Sequence, residues 1–108
     1  MNYDIDTIIK RLSEPEKIID PGECNILGSY LNGHITDLEE VCWQKRLIAS
    51  NVLARLNDKA TAAKSDVLWK ISPEYINWQL AEREIKKLKR YRSDLKDRFA
   101  VLTNIRRV

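Results

Sequence analysis

A chain of 108 residues that is 44% hydrophobic and 32% charged has room for one domain, and its composition excludes a disordered or fibrous protein. Three glycines and three prolines leave little turn material, which favours a few long helices over many short strands. The net charge of +3 is unevenly spread: residues 1–72 carry nine Lys and Arg against eleven Asp and Glu, and residues 73–108 carry ten against five. That cationic last third suits an acidic partner such as nucleic acid, or else a solvated helix exterior.

No segment approaches the roughly 20 apolar residues that span a bilayer, and the start, Met1-Asn2-Tyr3-Asp4, lacks the basic and apolar regions of a secretory signal. A cytoplasmic protein is expected, in whatever cell makes it, with no membrane partner.

In chain order, residues 4–13 read as a short amphipathic helix. Asp4 or Asp6 caps it, and Ile5, Ile8, Ile9 and Leu12 share one face. Ser13-Glu14-Pro15 ends it, and a helix this short needs a larger body to dock on. A second helix opens at Asp20-Pro21-Gly22-Glu23, an N-cap followed by proline at the first position and a glutamate placed for a capping box. Its apolar stripe runs through Leu27, Leu31, Ile35, Leu38, Cys42, Ala49, Val52 and Leu56, with Lys45 interrupting. Gly28 and Gly33 each cost about 1 kcal/mol relative to alanine, and are either tolerated or leave room for a close helix crossing. Cys24 and Cys42 fall roughly 27 Å apart on this helix, too far for an intrachain disulfide. Free thiols suit a reducing compartment.

Residues 57–71 form a connector. The run from Asp58 to Lys64 can extend a helix, Ser65-Asp66 reads as a break, and Val67, Leu68, Trp69 and Ile71 suggest a bend with Trp69 covering the end of a hairpin. The last helix, 73–107, opens on Ser72-Pro73-Glu74 and carries a seam of Ala81, Ile85, Leu88, Leu95, Phe99 and Leu102, with Trp78 and Ile105 near its ends. Arg92 stands where the seam calls for an apolar side chain. Helices over 21–56 and 73–107 are nearly equal in length, each roughly 53 Å. The expected fold is therefore all-α: one domain over 1–108, a long antiparallel, coiled-coil-like hairpin with a short N-terminal helix, assembling into an oligomer.

Catalytic chemistry finds little support. His34 is the single histidine, the cysteines lack paired metal-ligand spacing, and neither standard glycine-rich phosphate loop occurs. A non-enzymatic protein without a cofactor or metal is expected. The last helix is more informative. Arg83, Lys86, Lys87, Lys89, Arg90 and Arg92 put six cations into ten residues against Glu84 alone, and Lys96 and Arg98 continue the run. Glu82–Lys86 and Asp94–Arg98 have favourable spacing. Arg83–Lys87, Lys86–Arg90 and Arg92–Lys96 are like-charge pairs that each cost a free helix a few tenths of a kcal/mol, roughly. A polyanion relieves that repulsion. Tyr91 and Trp78 either stack on unpaired bases or pack against the hairpin. A helix-turn-helix is excluded by helices this long, so any DNA binding is sequence-tolerant.

Gln44-Lys45-Arg46, then Ala54-Arg55-Leu56, a polar break and a final basic helix with Trp78 upstream of Leu95–Ile105 give an order of features that resembles the UvsY family. Those are recombination mediators of tailed bacteriophages. The likeness covers roughly residues 27–107. It implies a homo-oligomer that binds single-stranded DNA and helps a recombinase displace single-strand-binding protein. The family's Lys-x-Arg pair before the break is associated with DNA binding; here Arg55 is kept and Leu53 occupies the lysine position. The expected function is sequence-tolerant single-stranded DNA binding in phage-type recombination or replication, through Arg55, Arg83, Lys86, Lys87, Lys89, Arg90 and Lys96. The alternatives are a structural or adaptor protein that binds another protein, and a small phage inhibitor of a host enzyme.

Overall fold

The protein is described from a computed structural model over residues 4–107, with side chains through Asn104. The fold is an all-α helical hairpin. The helices are α1 (Ile5–Leu12), α2 (Pro21–Asn57), α3 (Ala62–Lys70) and α4 (Pro73–Arg107), and a 3-10 turn spans Pro15–Lys17. No strand occurs among the described residues. The chain forms two compact units, Met1–Thr36 with Lys86–Val108, and Asp37–Ile85.

Caps set the helix starts. Asp4 accepts the Thr7 amide at 2.7 Å and opens α1. Asp20 accepts the Gly22 amide at 3.0 Å ahead of α2. Ser72 accepts the Tyr75 amide at 3.3 Å and donates its hydroxyl to the Trp69 carbonyl at 2.6 Å, tying the start of α4 to the end of α3. The capping box expected of Glu23 does not form. Its carboxylate takes two bonds from Arg11, at 2.9 and 2.6 Å, and so fastens α1 to α2.

In the first unit Ile8, Leu12, Ile18, Cys24, Leu27, Leu31 and Ile35 are buried with Leu88, Leu95 and Leu102. This is the predicted pair of stripes, with the apolar face of α1 docked as its length required. Ile18, in the link between α1 and α2, joins it fully buried. In the second unit Cys42, Ala49 and Ile85 are buried. The helices run antiparallel in each unit: Arg92 bonds Asn32 in the first, while Glu82 meets Cys42 and Trp78 meets Arg46 in the second. Ile105, read as the end of the seam, lies outside the side chains described.

The connector differs from its sequence reading. Ser65-Asp66 is no break, because α3 runs through it. Thr61 caps α3 by accepting the Lys64 amide at 3.3 Å, so the true break is at residues 58–61. Ser65 reads as polar punctuation in sequence but is a small side chain buried completely. Trp69 does cover the helices as expected: its indole N–H donates to the Ala49 carbonyl at 2.8 Å, and its ring meets Tyr75 at 4.7 Å and Trp78 at 6.1 Å.

Candidate nucleic-acid interface

The cations of α4 divide once the helix is real. At about 100° per residue, Lys86, Lys89, Arg90 and Lys96 fall within an arc of roughly 120°, with Ser93 at its centre. Arg83 and Lys87 are turned roughly 80° and 120° from that centre. All six are exposed. Arg83 belongs to the second unit and Lys86–Lys96 to the first. Arg55, kept by the family resemblance, is exposed in the last turn of α2 and also belongs to the second unit. Leu53 beside it is half-buried.

Lys86, Arg90 and Lys96 take part in no hydrogen bond or ion pair among the described residues, whereas Lys89 has a partner. The neutralising pairs foreseen from spacing do not form. Glu82 accepts instead from the Trp78 indole at 3.1 Å and from the Cys42 thiol at 3.5 Å, which leaves Lys86 unpaired. Arg98 turns away from Asp94 to donate to the carbonyls of Ile18 at 2.8 Å and Glu16 at 3.2 Å, so this cation is a structural tie. By the same turn Asp97 falls inside the arc, about 40° from its centre, as an exposed carboxylate that pairs with none of the described cations.

Of the two readings of Trp78, the structure shows packing within the second unit. Trp78 packs against Trp69 and Tyr75, with the Arg46 guanidinium 5.9 Å from its ring centre. Tyr91 is half-buried.

A groove of about 620 Å³ adjoins the arc within the first unit, and sequence reasoning missed it. Asn25, Ser29 and Asn32 line it from α2, and Arg92, Lys96 and Phe99 from α4, above the buried side chains of Cys24 and Leu95. Lys96 thus belongs to both arc and groove. Gly28 also lines it, and a Cβ there would meet nothing within 4 Å; the same holds at Gly33. Neither glycine supports a close helix crossing. The interruption of the seam at Arg92 was the available signal. Its guanidinium bonds Asn32 at 3.1 Å and lines the groove, whose lining holds no carboxylate.

The cysteines are free and buried, and burial pushes both thiols above their ordinary range. His34 is half-buried, and no three His, Cys, Asp or Glu side chains converge among the described residues. No described helix is long and apolar enough to cross a membrane. No family model, curated protein or solved structure matches this chain.

Proposed function

We propose that this is a non-enzymatic protein that binds single-stranded DNA without sequence preference, through the arc of Lys86, Lys89, Arg90 and Lys96. The supporting observation is that Lys86, Arg90 and Lys96 share one exposed face with no carboxylate paired to them. Cations so placed attract phosphates and release counterions on binding. A role beside a recombinase or single-strand-binding protein in phage recombination or replication follows from the sequence resemblance. Arg83, Lys87 and Arg55 stand outside the contact. The test is anisotropy of a labelled oligothymidine with two paired variants. Lys86→Gln with Arg90→Gln should weaken binding, and Arg55→Gln with Lys87→Gln should not. Equal losses in the two pairs would reject the assignment.

Assembly into a homo-oligomer has its own support. The second unit exposes Trp43 by 60%, Leu47 by 44%, Ile76 by 45% and Leu80 by 54%. Trp43 and Leu47 lie one turn apart on α2, with Glu40 a turn before them. Ile76 and Leu80 lie one turn apart on α4, with Arg83 a turn after. Antiparallel docking of the first stripe on the second stripe of another copy buries four apolar side chains and sets Glu40 against Arg83. Light scattering should then report a mass above one chain that falls on Trp43→Gln with Leu80→Gln. A monomeric wild-type protein would refute it.

A further inference from the structure

The groove beside Arg92 has a chemical character that the cationic arc lacks. Asn25, Ser29 and Asn32 recur at four- and three-residue spacing on α2, and Arg92, Lys96 and Phe99 do so on α4, so each set forms one helix face. Arg92 and Asn32 bond at one end, and Phe99 stands roughly 10 Å further along α4. Two cations with no carboxylate in the lining are matched by a dianion. A phosphodiester linkage carries one negative charge, whereas a phosphomonoester carries close to two at neutral pH, its second pKa being about 6. Arg92 offers a planar fork whose remaining N–H groups suit two phosphate oxygens, and Lys96 adds a point charge. Ser29 and Asn25 supply neutral donors, and Phe99 supplies an apolar face for a base. A volume of about 620 Å³ lies within the range of small-molecule sites, roughly 300–1,000 Å³.

We propose that this groove binds the terminal phosphomonoester of a nucleotide, with Arg92 and Lys96 on the phosphate and Phe99 against the base. The inference rests on the single-strand reading of the arc only in taking that nucleotide to be a strand end; a free mononucleotide presents the same chemistry.

The experiment compares three twelve-residue oligothymidines, with a 5′-phosphate, a 3′-phosphate or hydroxyl ends, and free thymidine 5′-monophosphate. One phosphorylated end should bind at least tenfold tighter than the hydroxyl oligomer, which is about 1.4 kcal/mol. Arg92→Gln or Lys96→Gln should remove most of that gain, and lowering the pH from 7.5 to 5.5 should shrink it. Gly28→Leu serves where a charge change disturbs folding. The first carbon of the new side chain meets nothing within 4 Å and the rest occupies the groove, so the gain should be abolished with the melting temperature kept or raised. Equal affinity for all three oligomers, or a gain that survives Gly28→Leu, overturns the proposal even if salt-sensitive strand binding persists. Mononucleotide binding that Gly28→Leu removes, without oligomer binding, sustains the groove and rejects the strand reading.

Discussion

Trp69 offers the sharpest test of how α3 is held. Its indole N–H reaches the Ala49 carbonyl at 2.8 Å, and its ring meets Tyr75 at 4.7 Å and Trp78 at 6.1 Å. Trp69→Phe removes the hydrogen bond but keeps an aromatic ring. Ala49 lies inside α2 and its carbonyl keeps a helical partner, so the loss is that of one net hydrogen bond, about 1 kcal/mol. Trp69→Ala removes the ring as well. Truncations of this kind cost about 3–5 kcal/mol when the ring is fully buried, and Trp69 is half-buried, so about 3 kcal/mol is expected. For a chain near 100 residues, 1 kcal/mol moves the melting temperature by about 4–8 °C. Circular dichroism melts should therefore fall by about 4–8 °C for Trp69→Phe and at least about 12 °C for Trp69→Ala. A Trp69→Ala loss within about 2 °C of wild type would refute the docking of α3 described above.

Other substitutions probe local features. Gly33→Ala adds a methyl group to open space within α2 and should stabilise by up to about 1 kcal/mol, read as a higher melting temperature with binding unchanged. Ser65→Ala removes a buried hydroxyl that has no partner among the described residues, and should stabilise by about 1 kcal/mol in urea denaturation. Burial raises the thiol pKa of Cys24 and Cys42, so the folded state holds these protons more tightly than the unfolded chain. Their contribution is full below the ordinary thiol value of about 8.5 and is lost as pH rises above it. Alkylation at pH 7.5 should accordingly be far slower in the native than in the denatured protein, and equal rates would contradict the burial.

Much of the hairpin was legible because its signals are local. Pro21 and Pro73 follow side chains that bond early helix amides, and the apolar stripes of α2 and α4 keep one face over many turns. The connector was opaque for a physical reason. Serine at position 65 is read as punctuation from its hydroxyl, whereas its small volume is what allows it to lie buried in α3. The site was half legible. Sequence identified the cations of α4, but only helix phase separates Lys86 and Arg90 from Arg83 and Lys87. Spacing suggested that Glu82 would neutralise Lys86, whereas that carboxylate is taken by Trp78, one turn back on α4, and by Cys42 on α2. The groove was hidden because Asn25, Gly28, Ser29 and Asn32 read as an ordinary polar flank until α4 sets Arg92 and Lys96 opposite them.

The central claim is that an exposed row of cations on α4 meets the phosphates of a single strand. Its most direct test is the affinity of the wild-type protein for oligothymidine as salt rises from 50 to 200 mM. Three phosphates neutralised by Lys86, Arg90 and Lys96 give a slope of about −2.1 in log affinity against log salt, close to a twentyfold weakening across that range. Binding that ignores salt, or no binding at 50 mM, would contradict the account.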